Sequence, residues 1–235
     1  MKYVFNGIDK GVTEKFKIMQ GADDWLLEEL EGIDISKWSK SFQDKRKNID
    51  FQTVELSADI ELKIPKRKIK ITKGERISFL LHEKNNKNLA HLTKGGFRFS
   101  DNLSRRYKMT EENIEEIINS ATAEEVKVAD TLWKFFNEFI KPELNEASME
   151  LNGWEVATED NYYPIKTVEL DRRRDALKAR KDFNEVTLEG LGIFKERVNA
   201  KNALIIEDAF TVTYKHLEQT SSYIGLAKPF LWVLL

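Results

Sequence analysis

The hydrophobic pattern of the chain is mostly helical. Ala22-Asp23-Asp24 precedes Trp25, Leu26, Leu27 and Leu30, and Gly32 follows, which predicts a short helix opened by acids and closed by glycine. Ser36 is placed to cap a second turn carrying Trp38 and Phe42. Thr72-Lys73-Gly74-Glu75 has the form of a capping box, ahead of Ile77, Leu80 and Leu81 on one face. Asn85 to Asn88 breaks that helix, and Gly95-Gly96 marks a loop that must bend sharply or visit positive φ.

Thr110 starts a helix with Ile114, Ile117 and Ile118. Thr122-Ala123-Glu124-Glu125 is a second capping box, opening the longest helix, whose face is read as Val126, Ala129, Trp133, Phe136 and Ile140. Pro142 is expected to kink it; the pattern resumes at Leu144 and Leu151 and ends at Gly153. An irregular stretch, 154–166, precedes a charged helical stretch, 171–183. A last helix is predicted from near Asn202, with Ile206, Phe210, Thr213, Leu217 and Ile224 as its stripe and an interruption at Lys228-Pro229.

Only 51–71 alternates. Val54 and Leu56, then Ile60, Leu62 and Ile64, predict two short strands around a turn at Ser57-Ala58-Asp59, with Pro65 ending the second. The fold class expected is mainly α: long kinked helices with a small β-hairpin or ribbon near residues 53–71. The organisation expected is an N-terminal helical extension, 1–50, and one main helical domain, 51–235.

Composition narrows the chemistry. The 235 residues carry 38 basic and 40 acidic side chains, a net charge of -2, so no global field favours nucleic acid. With no cysteine, disulfides, thiolate metal sites and Cys nucleophiles are excluded. The three histidines, His82, His91 and His216, show no close ligand spacing, so no metal or cofactor is expected. His82 and His91 bracket an Asn-rich turn and read as structural or surface residues. His216 reads as the edge of a helix packing face. No run of residues approaches the roughly 20 apolar positions of a membrane span.

Lys63, Lys66, Arg67, Lys68, Lys70 and Lys73 form a basic run. No aromatics interleave for base stacking, so it reads as a guarded strand edge. Its alternative is weak phosphate contact through Lys66, Arg67 and Lys68. Arg172-Arg173-Arg174 lies between Asp171 and Asp175 and reads as a solvated helix face. Gly95-Gly96 lacks the spacing and the Lys-Ser/Thr end of a phosphate loop, and no nucleophile elbow or kinase motif set occurs. Pro229-Phe230-Leu231-Trp232-Val233-Leu234-Leu235 is apolar to its last residue. It reads either as a terminal helix docked on the core or as a chain cut from a longer one. Phe230, Leu231, Trp232 and Leu234 are the candidate interaction residues, with self-association to a homodimer through residues 226–235 expected.

Four stretches in order carry a resemblance: Ile69-Lys70-Ile71-Thr72-Lys73-Gly74-Glu75-Arg76-Ile77-Ser78-Phe79-Leu80-Leu81-His82; Asn88-Leu89-Ala90-His91-Leu92-Thr93-Lys94-Gly95-Gly96; Asn161-Tyr162-Tyr163-Pro164-Ile165; and Ile205-Ile206-Glu207-Asp208-Ala209-Phe210 with Tyr214-Lys215-His216-Leu217 and Tyr223-Ile224. Over about residues 60–230 the chain resembles a helical region of the large polyvalent proteins of phages, prophages and conjugative elements. The resemblance implies a non-enzymatic structural or interaction segment, packaged in virions or delivered with DNA, and found in the virion or the host cytoplasm. Its implied partners are other segments of a larger parent chain or phage proteins. The alternatives from other classes are an effector or anti-defence protein that binds a host factor, and a fragment of a nucleic-acid-handling enzyme whose active site lies elsewhere.

Overall fold

A computed structural model describes residues 2–35, 38, 53–55, 69–166 and 202–234. Helix takes 67% of the interpretable residues, with a small three-stranded sheet, so the mainly-α expectation holds. Contacts group the chain into two units. Unit 1 gathers Met1–Gly32, Thr131–Tyr162 and Thr213–Leu235; unit 2 gathers Ile33–Asp130 and Tyr163–Val212.

Unit 2 begins its described structure with a ribbon. Strand β1 (Thr53–Glu55) pairs antiparallel with β2 (Lys70–Thr72), Val54 opposite Ile71. The ribbon falls where alternation placed one, with Lys70–Thr72 as the partner of the first strand. The turn expected at Ser57-Ala58-Asp59 and the strand expected at 60–64 lie outside the described residues. Thr72 ends β2 and caps α2 (Lys73–Glu83): its hydroxyl accepts from the Glu75 N–H and the Glu75 carboxylate accepts from the Thr72 N–H. Asn85 ends this helix by capping the next, α3 (Asn86–Ala90), and a π-helical turn, His91–Gly95, follows.

That turn leads into a sheet that the sequence pattern did not reveal. Strands β3 (Phe97–Phe99), β4 (Asn102–Tyr107) and β5 (Leu204–Ile206) stand in the order β4-β3-β5, with β3 and β5 parallel. Gly96, at φ +74, makes the entry: a Cβ there would meet the Tyr107 carbonyl oxygen at 2.1 Å. The core of unit 2 lies on this sheet. Phe97 packs edge-on to Phe79 and Phe99 and stacks on Tyr107, with Leu92, Ile114, Ile117, Leu204 and Ile206 around them. Helix α4 (Glu111–Asn119) supplies the two isoleucines behind a cap from Thr110.

Leu204–Ile206 corrects the expectation of a helix from Asn202. Three consecutive buried β-prone residues form a strand there, and Asp208, accepting from the N–H groups of Phe210 and Thr211, opens the helix instead. That helix, α7 (Ala209–Leu234), continues through Pro229, so the predicted interruption is also corrected. One proline removes one donor and bends a helix without having to end it.

Unit 1 is built of helices. Helix α1 spans Lys2–Glu29 and is far longer than the short helix read from 22–32, although Gly32, at φ +82, does lie just beyond its end. Gly7, Gly11 and Gly21 weaken the local helical signal, but tertiary packing uses two glycines. A Cβ on Gly225 of α7 would meet the Gly11 carbonyl oxygen at 2.4 Å and the Lys15 nitrogen at 2.9 Å, so the two helices touch backbone to backbone.

Helix α5 (Ala123–Lys134), whose residues up to Asp130 belong to unit 2 and whose last four belong to unit 1, starts at the expected capping box, Thr122 with Glu125. A π-helical stretch, Phe135–Ile140, joins it to α6 (Lys141–Asn152), which Gly153 closes in the left-handed conformation. Pro142 falls at the start of α6. Its ring would crowd the carbonyl four residues back. The wider turn, seen in the Lys141 N–H bond to the Phe136 carbonyl, lets the helix continue. The buried face is Val128, Ala129, Leu132, Phe135, Phe136, Ile140 and Leu144. Val126 is exposed and Trp133 is half-buried, so the predicted face is corrected at those two positions. The π stretch adds a residue to a turn and shifts the stripe, and Trp133 instead bonds Asn161 through its indole N–H at 3.1 Å.

Candidate functional site

Three groups of polar side chains are candidates for chemistry, one held by an ion pair, one by a tyrosine and one by a helix ladder. The first joins the ends of three helices of unit 2. Arg76 on α2 is 3% exposed and Glu125 on α5 is fully buried. The guanidinium holds the carboxylate with two nitrogens, Nε at 3.1 Å and Nη2 at 2.8 and 2.7 Å. Its third nitrogen reaches the carbonyl of Ser120, beyond the end of α4, at 2.7 Å and the Ser120 hydroxyl at 3.0 Å. Glu125 Oε2 also accepts the Thr122 N–H at 2.8 Å. One carboxylate thus caps a helix and neutralises a buried cation.

The second group lies along the polar side of α2. Ser78 and His82, one turn apart, both face Tyr163. The Ser78 and Tyr163 hydroxyl oxygens are 3.2 Å apart, and the His82 ring meets the Tyr163 ring edge-on at 4.8 Å. Burial raises the Tyr163 phenol above its usual range; the Ser78 bond opposes this, and the Asp208 and Glu207 carboxylates add to it. The phenol therefore stays neutral. All three side chains are buried, so a ligand reaches them only if the fold opens. Ser78 and Tyr163 fasten the start of the 163–166 segment to α2. His91 does similar work at another seam, with Nδ1 3.2 Å from the Asn202 carbonyl oxygen.

The third group is a ladder in unit 1. Asn137, Lys141 and Asn145 recur every four residues, so they share one face of the helical rod. Asn137 accepts from the Tyr162 N–H at 2.7 Å and donates to its carbonyl at 3.1 Å. Lys141 donates to the Glu159 carbonyl at 2.9 Å. Asn145 accepts from the N–H groups of Val156 and Ala157 and donates to the Ala157 carbonyl. Ser148 donates to the Trp154 carbonyl at 2.9 Å. The irregular stretch 154–162 is thereby paired almost as a strand would be, which is how it meets its backbone hydrogen bonds without secondary structure. Next to it, His216 Nε2 lies 2.9 Å from the Tyr162 hydroxyl with Phe136 alongside, and burial pushes the imidazole down to about 3. His216 is thus a neutral core histidine.

Among the described residues no group of three or more His, Asp or Glu side chains is placed to hold a metal. No described helix is long and apolar enough to cross a membrane. Of the sites expected from sequence, Lys66, Arg67 and Lys68 lie outside the described residues. Phe230, Leu231, Trp232 and Leu234 fall in the last turns of α7, with their side chains outside what is described. Sequence reading missed Arg76, Ser78, Tyr163, Asn137 and Asn145. Glu125 was legible as a cap, but nothing local announces a partner 49 residues away. No family model, no curated protein and no solved structure matches the chain.

Proposed function

We propose that this chain is a non-enzymatic structural or interaction segment of a larger phage or prophage protein, packaged in the virion or delivered with DNA. The observation that supports the interaction part is the outer face of α1. Ile8, Val12, Phe16 and Leu27 are 45%, 42%, 62% and 74% exposed. The first three follow one another at four-residue spacing, so they form a stripe rather than scattered exceptions. The structural part has its own support. The chemically capable side chains described above, Arg76 with Glu125, Ser78 with Tyr163 and His216 with Tyr162, are buried in bonds that fasten one element to another.

Mass spectrometry of purified particles is the test. The reading expects peptides of this chain at a fixed ratio to the major particle proteins, and a lower ratio for a Phe16→Asp/Leu27→Asp variant that keeps its helical circular dichroism. Absence of the native chain from both the particles and the recipient cell overturns it.

A further inference from the structure

One face of the β3–β4 hairpin is cationic. Phe97 and Phe99 on β3 and Tyr107 on β4 all enter the core of unit 2. Side chains alternate along a strand. Arg98, between the two phenylalanines, and Arg106 and Lys108, on either side of Tyr107, therefore point away from that core. Arg98 donates through Nη1 to the Leu103 carbonyl, and Arg106 donates through Nε to the Gly95 carbonyl at 2.7 Å. The Lys108 stem lies beside Gly96, where an added Cβ would meet it at 3.2 Å. Lys94 precedes Gly95, Arg105 precedes Arg106, and both are exposed. Residues 94–108 thus hold five cations and one acid, Asp101, in a chain whose net charge is -2. Among the described residues, Lys94, Arg98, Arg105 and Lys108 make no ion pair with a carboxylate. The carbonyl that Arg98 meets orients its guanidinium without cancelling the charge. The nearest acids along the chain, Glu111 and Glu112, stand in the first turn of α4, where they complement the helix dipole. That helix packs its isoleucines with Phe97, on the core side of the sheet.

The chemistry of the face selects its occupant. A single strand is held by stacking bases on aromatic rings, but all three aromatic side chains of the hairpin are buried on its core side. A lipid surface calls for several apolar side chains beside the cations, and the hairpin exposes one, Leu103. A second copy of the face would set like charges against one another. An acidic peptide loses conformational entropy when it is ordered along the row. A nucleic-acid duplex is already rigid and carries one negative charge per about 1.7 Å of its axis. Cations on alternate strand positions, about 7 Å apart, meet several of its phosphates at once, and a guanidinium takes two phosphate oxygens in its fork. We propose that this face binds the phosphate backbone of double-stranded nucleic acid through Arg98, Arg105, Arg106 and Lys108, with Lys94 beside them. Contacts of this kind position a duplex without reading its sequence.

Fluorescence anisotropy of the full chain tests this, with labelled DNA and RNA duplexes, a labelled DNA single strand, polyglutamate and anionic phospholipid vesicles as the other arms. The native chain should bind a duplex, and bind unrelated duplex sequences alike. With four or five phosphates contacted, log K should fall against log salt with a slope of about −4. Lys94→Ala/Arg105→Ala changes only exposed side chains. It should weaken binding by about tenfold or more at low salt and make the slope shallower by about 2, one for each lost contact. Lys66→Ala/Arg67→Ala/Lys68→Ala should leave the slope unchanged. Circular dichroism checks that both variants fold. Binding of either duplex with this slope supports the proposal, and the two arms tell DNA from RNA. No duplex binding at low salt overturns it. So does tighter binding of the single strand, of polyglutamate or of the vesicles, a strong preference for one duplex sequence, or an affinity that survives Lys94→Ala/Arg105→Ala. Loss of binding only when Lys66, Arg67 and Lys68 are replaced overturns it as well. The hairpin belongs to unit 2 and the α1 stripe to unit 1, so duplex binding and the ratio in particles can fail separately.

Discussion

Replacing Glu125 by glutamine removes one charge and little else. Glutamine has nearly the same shape and still suits the third position of a capping box, so the cap on α5 should survive. What is lost is the counter-charge of the Arg76 guanidinium. Arg76 is 3% exposed, and three of its hydrogen bonds end on Glu125. An exposed pair is worth about 0–1 kcal/mol. Removing one partner of a buried pair costs about 3–5 kcal/mol, because the remaining charge is stranded away from water. Here the two bonds to Ser120 remain to soften the loss, so the expected cost of Glu125→Gln is about 3 kcal/mol, the low end of that range. Urea unfolding followed by circular dichroism measures it as a fall in midpoint at constant slope. Arg76→Met should cost a similar amount, and the double variant should cost clearly less than the sum. The reasoning is refuted by a Glu125→Gln loss under about 0.5 kcal/mol, which is the scale of surface changes, or by strict additivity of the two substitutions.

Three further outcomes are expected. His216 is neutral in the fold, with its pKa pushed from 6.5 down to about 3, so the unfolded chain binds one more proton between those values. Stability from this group is complete above pH 6.5 and falls at up to about 1.4 kcal/mol per pH unit below it; a His216→Phe variant should lose that share of the slope, and an unchanged slope would contradict the assignment. Asn145→Ala should cost about 1–3 kcal/mol through the unpaired Val156 and Ala157 amides and should speed hydrogen exchange there; protection as strong as in the native chain would mean that the ladder does not hold 154–162. Gly96→Ala forces a Cβ against the Tyr107 carbonyl at φ +74 and should destabilise by more than about 1 kcal/mol; a neutral melting temperature would show that the loop has another way through.

What was legible in the sequence was local. Thr72 with Glu75 and Thr122 with Glu125 announce helix starts because both partners of each cap lie within four residues. Gly96 announces a sharp bend or positive φ, and Gly153 the end of a helix, for the same reason. What was hidden depends on distant partners. Leu204–Ile206 is a strand because it lies beside Phe97–Phe99, more than a hundred residues earlier. The glycines within residues 2–21 lower helix propensity, yet one of them, Gly11, lies against Gly225 of α7. Asn137, Lys141 and Asn145 look like a solvent face by spacing alone, and only the path of 154–162 turns them into a clamp. Arg76 in an apolar helix carried no visible partner until α5 was in place.

The most direct test of the account is a photo-crosslinker placed at Phe16, the exposed aromatic residue at the centre of the α1 stripe, in cells that produce the chain. A control crosslinker at Glu112, exposed on α4, sets the background. The account predicts a discrete crosslinked species from position 16, to another copy of this chain or to a segment of its parent protein, and none from position 112. Equal yields at the two positions, or no crosslink from position 16, would contradict the claim that this segment works through that face.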